Sequence, residues 1–204
     1  MFKSQKLIKD IFKFFGLIIR KTSPSSDHDY LLALVLKKLS ISLVFDIGAN
    51  EGQFAKGLRS YGYDQKIISF EPLSQAHKIL SRVSHSDQEW TIHERCAIGG
   101  RTEVRKIFIS QNSVSSSLLK INSKHKNAAP ASTAVAMEDV QVYPLSAIIE
   151  FEKLKCESKF LKLDVQGFEH EILDELDDRI KEFTGVLCEL SIVPLYESQK
   201  TWTI

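Results

Sequence analysis

The segment LVFDIGANEG (43–52) constrains the fold of this chain more than any other part of the sequence. It is an apolar run that ends in Asp46 and passes through two glycines into a helical pattern that starts at Gln53. A glycine lets backbone approach a ligand closely because no Cβ intrudes, and the first turn of a helix offers unpaired N–H groups. This arrangement is typical of a nucleotide site at the carboxyl end of a parallel strand.

The spacing of the glycines excludes two common phosphate-binding motifs. A P-loop needs GK[ST] after its second glycine, but Gly52 is followed by Gln53. A dinucleotide fingerprint needs G-x-G-x-x-G, whereas Gly48 is followed by Gly52 and then Gly57. An acidic strand end with a looser glycine turn suits a ligand that has a positive centre and no pyrophosphate, such as S-adenosylmethionine.

Two further apolar strands also end in an acid. Glu71 ends the strand in ISFEP (68–72), 23 positions after Gly48. An acid about 20 residues beyond the glycine turn can accept hydrogen bonds from ribose hydroxyls, and the alternative is that it caps the next helix. Asp164 ends the strand in FLKLD (160–164). If the sheet is doubly wound, Asp164 borders the ligand crevice; its alternative role is also a helix cap.

The rest of the pattern alternates strands with helices, which predicts an α/β fold with a doubly wound, mostly parallel sheet. The predicted strands are 43–45, 66–70, 90–93, 160–163 and 186–190, and the predicted helices are 30–39, 53–59, 74–83 and 168–180. Two extra strands, 103–109 and 140–143, bracket a polar stretch at 110–134 that we expect to form a loop or lid. We expect an N-terminal helical extension over 1–40 and one α/β domain over 41–204.

Charge and cysteine usage narrow the functional class. Lys plus Arg is 27 and Asp plus Glu is 26, so the net charge of +1 argues against a dedicated nucleic-acid binder. The three cysteines form no CxxC pair, which favours a reducing compartment and predicts a cytoplasmic protein. Apart from His170, considered below, the histidines show no ligand spacing with cysteines or acids, so no metal site is predicted.

Residues 1–21 combine six basic groups with an apolar stripe at helical spacing between Leu7 and Ile19. The stripe is too short and too charged to span a bilayer, and it lacks the features of a signal peptide. It predicts a helix with three alternatives: packing on its own domain, resting on an anionic membrane surface, or binding a partner.

Three segments together resemble the FkbM family of S-adenosylmethionine-dependent methyltransferases: FDIGANEGQFA (45–55), ISFEPL (68–73) and LKLDVQGFEHEIL (161–173). Further similar segments are RCAIG (95–99), NSVSSSLL (112–119), residues 142–148 and LCELSIVPLY (187–196). The resemblance covers residues 43–198. One departure is Gln166, where the family commonly has Glu.

The resemblance implies a class I methyltransferase-like, Rossmann-like fold with S-adenosyl-L-methionine as cofactor. It implies methyl transfer, usually to a hydroxyl oxygen, with a sugar, a glycolipid or another natural product as a small-molecule or glycan acceptor. The residues that it assigns to the methionine end of the cofactor are Asp46, Gly48, Asn50 and Gly52, with Glu71 on the ribose and Ala97 and Ile98 flanking the adenine. Asp164 lies near the sulfonium and the acceptor in this scheme, and Asp164 and His170 are the candidate general bases.

The C-terminal part departs from the class I pattern, which adds a helix and two antiparallel strands after the fifth strand. Only residues 197–204 follow Tyr196 here, so we expect a sheet without those antiparallel strands. The alternative function is therefore a non-catalytic relative that binds the cofactor or a partner with an incomplete fold. The sequence leaves the acceptor and the oligomeric state open.

Overall fold

The computed structural model describes residues 27–122, 132–152 and 158–201. The helices are α1 (His28–Lys38), α2 (Gln53–Ser60), α3 (Ser74–Ser84), α4 (Leu145–Glu152) and α5 (Glu169–Leu176), with 3₁₀ turns at Ser113–Ser115 and Asp177–Glu182. The strands are β1 (Leu43–Ile47), β2 (Lys66–Phe70), β3 (Trp90–Ile92), β4 (Ala97–Ile98), β5 (Glu103–Ser110), β6 (Ala134–Tyr143), β7 (Lys159–Leu163) and β8 (Gly185–Cys188).

Five of these strands form a parallel central sheet in the order β3-β2-β1-β7-β8. The chain first builds outward from β1 to β3 and then returns to build β7 and β8 on the other side of β1. The predicted doubly wound, mostly parallel fold is thus confirmed. The strand order reverses between β1 and β7, and in such sheets the crevice at that reversal is where ligands bind.

Both faces of the sheet are covered, as the near-continuous apolar strands require. Alternate residues of β1 such as Phe45 pack with Ile172 of α5 on one face, whereas Val44 packs with Leu36 of α1 on the other. Leu32, Ala33 and Leu36 are buried, so α1 contributes to the domain core. The amphipathic segment at 1–21 lies outside the described residues. None of the helices in the described ranges is long and apolar enough to cross a membrane.

The two extra strands form a second, smaller sheet with the order β4-β6-β5. β5 and β6 are antiparallel, and β6 starts at Ala134, earlier than the sequence predicted. Part of the predicted loop at 110–134 is held against this sheet, because Phe108 and Ser117 exchange backbone hydrogen bonds of 2.8 and 3.1 Å. Residues 123–131 of that stretch lie outside the described residues.

The predicted helix 168–180 is wrong in its length. α5 ends at Leu176 because Asp177 has a φ of +43°, a left-handed conformation that cannot continue a right-handed helix. After β8, the described residues 189–201 add no antiparallel strand to the central sheet.

Candidate active site

A cavity of about 610 Å³ opens at the carboxyl edge of the central sheet, where β1 and β7 lie side by side. Six of the residues singled out in the sequence line it: Gly48, Asn50, Glu71, Ala97, Ile98 and Asp164. The parallel strands bring these residues to one edge although they are far apart in the chain. Such a volume is typical of small-molecule sites.

The turn between β1 and α2 forms one wall of the cavity. Gly48, Asn50 and Gly52 all have positive φ, at +78°, +48° and +85°. A Cβ built on Gly48 would lie 2.0 Å from the backbone carbonyl oxygen of Asp164. Gly48 is therefore required first of all for the contact between β1 and the segment after β7, and only secondarily for space beside a ligand.

Gly52, which the resemblance assigned to the methionine end of the cofactor, has a packing role in the structure. It is outside the cavity lining, and a Cβ there would lie 2.6 Å from the Trp90 ring and 2.9 Å from the Leu80 side chain. Close packing of α2 on β3 and α3 accounts for this glycine. Asn50 does face the cavity, and its side-chain amide donates to the Ser113 hydroxyl at 3.2 Å.

Glu71 lines a buried part of the cavity, which we call its closed end, in contrast to the exposed part at Asp164, its open end. Its side chain is almost fully buried, with the residue 3% exposed. The two carboxylate oxygens accept hydrogen bonds from the backbone N–H groups of Asn50, at 2.7 Å, and Leu73, at 2.8 Å. Burial raises the pKa of Glu71 to about 7, even though these two N–H groups and the nearby Lys162 favour the carboxylate. The carboxyl group therefore changes its protonation state near neutral pH.

Asp46 lies beneath the turn and outside the cavity lining. It is completely buried and accepts a hydrogen bond from the Ser69 hydroxyl at 3.0 Å. Its second carboxylate oxygen lies 3.0 Å from Nζ of Lys162, the residue directly opposite on β7. Asp46 thus supports the turn through this ion pair, and no face of its side chain is open to a ligand.

The sequence analysis missed Lys162. In the strand KFLKL, Leu161 and Leu163 point into the α4–α5 side of the core, so Lys162 points to the opposite face of a strand that is buried on both sides. A lysine at such a buried position requires a partner. The alternation along this strand is the sequence signal that could have identified Lys162 as a buried charge. The register of β1 and β7 places Asp46 directly opposite it, and Asp46 is its partner.

Asp164 lies at the open end of the cavity, with its side chain 42% exposed. The side-chain amide nitrogen of Gln166 donates to the carboxylates of Asp164, at 2.7 Å, and Glu189, at 2.9 Å. The amide oxygen of Gln166 accepts from the Tyr196 hydroxyl at 2.9 Å. Burial, followed by the neighbouring Asp164 carboxylate, raises the pKa of Glu189. Glu189 also lines the cavity and is a second residue that the sequence analysis missed.

His170 lies away from this cavity. It borders a separate hollow beyond Gly167, and its Nδ1 lies 3.4 Å from the Asp174 carboxylate. The structure therefore brings Asp164 to the site and leaves the second candidate base outside it. The neighbouring Glu169 is turned inward, where it accepts backbone hydrogen bonds of 3.0 Å from Val165 and Gly167 and so holds the turn before α5.

Ala97 and Ile98 form an apolar part of the cavity wall and are almost fully buried. They are the whole of β4, which joins the second sheet to the edge of the cavity. Among the described residues, no group of three or more His, Cys, Asp or Glu side chains could hold a metal ion.

The raised pKa of Glu71 predicts a specific pH dependence of stability. Because the folded protein binds this proton more tightly than the unfolded chain, the stabilisation is complete below the ordinary pKa of 4.5 and is lost as the pH rises to about 7. We expect the wild-type protein to lose about 3 kcal/mol of unfolding free energy over this interval relative to Glu71→Gln. Urea unfolding at a series of pH values measures this difference, and parallel curves for the two proteins would contradict it.

The model of the methyltransferase FkbM domain matches residues 46–202. No curated protein matches the sequence significantly.

Three solved structures align with the chain at low similarity. One is a protein from Pyrococcus horikoshii, provisionally assigned as an RNA methyltransferase, with 20% identity, a TM-score of 0.28 and coverage of 33% of this chain and 34% of that one. Another, provisionally assigned as an O-methyltransferase from Klebsiella pneumoniae, has 11% identity, a TM-score of 0.36 and coverage of 83% and 59%. The N-terminal domain of EvdMO1, solved with S-adenosylhomocysteine bound, has 9% identity, a TM-score of 0.30 and coverage of 60% and 68%.

The chain spans about a third of the first of these structures and 59% of the second. The family match is the stronger finding because it covers residues 46–202, which is most of the chain. It confirms the resemblance of the sequence segments and implies S-adenosylmethionine as the cofactor. This chain belongs to the FkbM methyltransferase domain family.

Proposed function

We propose that this chain transfers a methyl group from S-adenosylmethionine to a hydroxyl oxygen. The observation that carries the proposal is the contrast between two carboxyl groups that line the cavity of about 610 Å³. A buried carboxyl group, that of Glu71, lies at its closed end, and an accessible carboxylate, that of Asp164, lies at its open end. The closed end suits a cofactor that is held and shielded from water, and the open end suits an acceptor that enters from solvent.

The residues at the closed end fit S-adenosylmethionine. Glu71 can accept hydrogen bonds from ribose hydroxyls once it is ionised, and its pKa of about 7 allows this near neutral pH. Gly48, Asn50, Ala97 and Ile98 line the same cavity; in the proposal the first two contact the methionine end and the last two contact the adenine. When bound, the cofactor supplies an activated methyl group.

The open end of the cavity carries a group that could take the proton from a hydroxyl acceptor. The hydroxyl proton must leave as the new bond to oxygen forms, and a carboxylate within hydrogen-bond reach can take it. Asp164 is the proposed base because it reaches the cavity and His170 does not. Much of the acceleration in such a transfer comes from alignment of the reactants, which a walled cavity provides.

The acceptor that we propose is a small molecule or glycan that carries hydroxyl groups, such as a sugar, glycolipid or natural product. Ser113, Ser116 and Ser117 line the same cavity, and their hydroxyls can donate to and accept from a polyhydroxyl ligand. The net charge of +1 argues against a nucleic-acid acceptor.

Cofactor binding is tested by Glu71→Ala. We expect this change to weaken the binding of S-adenosylhomocysteine by roughly 1.5–3 kcal/mol, the range for hydrogen bonds to a charged group. Isothermal titration measures the affinity, with Glu94→Ala as the control because Glu94 is exposed and outside the cavity lining. Unchanged affinity in Glu71→Ala, or binding of NAD in place of S-adenosylhomocysteine by the wild type, would count against the proposal.

The catalytic role is tested by Asp164→Asn. The amide keeps the shape of the side chain and can still accept the hydrogen bond from Gln166, so we expect near-normal folding and cofactor binding. Methyl transfer to an accepted hydroxyl compound should fall by about 10²-fold, the scale of lost general-base assistance. The matched control is His170→Asn, which should leave the rate unchanged. A small change in rate with a large loss of thermal stability would instead assign Asp164 to helix capping.

The N-terminal segment is tested by deletion of residues 1–21. We propose that this basic amphipathic stretch is separable from the catalytic domain and contacts an anionic membrane surface. The deletion stops short of α1, whose side chains belong to the core. Binding of S-adenosylhomocysteine should be retained, and association with anionic liposomes should fall. Unfolding of the shortened protein would show that the segment is a core element, and unchanged liposome binding would exclude the membrane role.

A further inference from the structure

We propose that Lys162 is a positioning residue. By donating hydrogen bonds to the backbone carbonyls of Ile47 and Gly48, it fixes the β1–α2 turn and therefore the shape of the part of the cavity that would hold the cofactor. This inference rests on the proposed function for its ligand. It concerns a residue that neither the motif pattern nor the family match assigns to the site.

A row of polar groups crosses the buried sheet directly under the turn. In the register of the sheet, Asp46 stands between Ser69 on β2 and Lys162 on β7, on the face that packs against α1 and α2. The indole N–H of Trp90 donates to the Ser69 hydroxyl at 2.9 Å, and that hydroxyl donates to Asp46 at 3.0 Å. Lys162 completes the row, with Nζ 3.0 Å from the other oxygen of Asp46.

The ends of the row lie against the two glycines of the turn. Lys162 Nζ donates to the backbone carbonyl of Gly48 at 2.8 Å and reaches that of Ile47 at 3.3 Å. At the other end, the Trp90 ring fills the space beside Gly52. The row therefore supports the turn at the point where β1 ends and at the point where α2 begins.

The hydrogen-bonding capacity of Lys162 distinguishes positioning from direct binding. Lys162 Nζ donates two hydrogen bonds, to the carbonyl oxygens of Gly48 and Ile47, and it forms ion pairs with Asp46 at 3.0 Å and Asp164 at 3.8 Å. Nζ also lies 5.5 Å from the centre of the Phe54 ring. Lys162 borders the cavity, but both hydrogen bonds that it donates go to backbone carbonyls at the start of the turn, so we infer that its effect on a ligand passes through the turn.

Stability alone is a weak reason for such a pair. Lys162 is 6% exposed and Asp46 is completely buried, and removing two charges from water costs about as much as their attraction returns. Replacing both partners by uncharged groups is often neutral for stability. The carbonyl contacts of Lys162 supply a different role, because they add a side-chain support to the backbone hydrogen bonds that already hold Gly48 and Ile47.

The test compares the loss of the lysine alone with the loss of both charges. The variants are Lys162→Met, which leaves Asp46 buried without its partner, and the double variant Asp46→Asn with Lys162→Met, which removes both charges. Two controls match them: Lys159→Met changes a lysine at the other end of the same strand, and Val44→Ala weakens the same face of the sheet away from the turn. Binding of S-adenosylhomocysteine, the melting temperature and hydrogen exchange of the turn in the ligand-free protein are measured for each.

We expect Lys162→Met to lower the melting temperature and the double variant to recover most of that loss. Both should bind S-adenosylhomocysteine about 10- to 100-fold more weakly, by analogy with metal sites, where removal of a group that orients a ligand residue has an effect of this size. In the ligand-free double variant, amides of residues 48–52 should exchange about tenfold faster than in the wild type. The two controls should bind within about threefold of the wild type, which is less than 1 kcal/mol.

Wild-type affinity and wild-type exchange in the folded double variant would overturn the inference and leave the pair as a stability element. If the wild-type protein itself does not bind S-adenosylhomocysteine, the proposed function fails. The exchange measurement then still decides whether Lys162 holds the turn, because it needs no ligand. Equal losses of affinity in Val44→Ala and the double variant would also overturn the inference, since they would show a general effect of destabilisation.

Discussion

The close approach of β1 and β7 at their carboxyl ends is the contact on which the rest of the site depends. The Asp164 N–H donates to the Ile47 carbonyl at 3.1 Å, and Gly48 passes so near the Asp164 carbonyl that a methyl group there would collide with it. These backbone contacts hold the β1–α2 turn against the segment that follows β7. Any side chain at position 48 would separate them, so the glycine sets the width of the cavity before any ligand is present.

The charges around this contact are graded from the interior to the solvent. Asp46 is paired with Lys162 in the sheet, and Glu71 is buried with a pKa raised to about 7. Asp164 and Glu189 lie nearer the opening, linked by the amide of Gln166. In this order the paired charges of Asp46 and Lys162 are the deepest, the carboxyl group of Glu71 comes next, and the carboxyl groups of Asp164 and Glu189 are the most exposed.

Much of this arrangement could be predicted from the sequence because parallel strands align their carboxyl ends. Apolar strands that end at Asp46, Glu71 and Asp164 therefore pointed to one edge of one sheet, and the structure brings the last two together at the cavity. What could not be predicted depends on cross-strand register and on side-chain direction. Asp46 stands one position too early to face the cavity, and its partner Lys162 is 116 residues away in the chain.

The remaining differences have local physical causes. Gly52 fits the spacing of a ligand turn, yet the ring of Trp90 explains it, and that contact joins segments that are distant in sequence. His170 follows a motif that reaches the site, but the helical turn after Gly167 directs it toward Asp174. No sequence motif marks Glu189. It belongs to the site because the side-chain amide of Gln166 donates hydrogen bonds to both Glu189 and Asp164.

The central claim is that the cofactor binds in the part of the cavity at Glu71 and the acceptor binds in the part at Asp164. A crystal structure of the protein with S-adenosylhomocysteine tests this most directly. The account predicts ribose hydroxyls within hydrogen-bond distance of the Glu71 carboxylate, the adenine against Ala97 and Ile98, and the sulfur facing the Asp164 end. Ribose bound away from Glu71, or a ligand whose sulfur faces the closed end of the cavity, would contradict it.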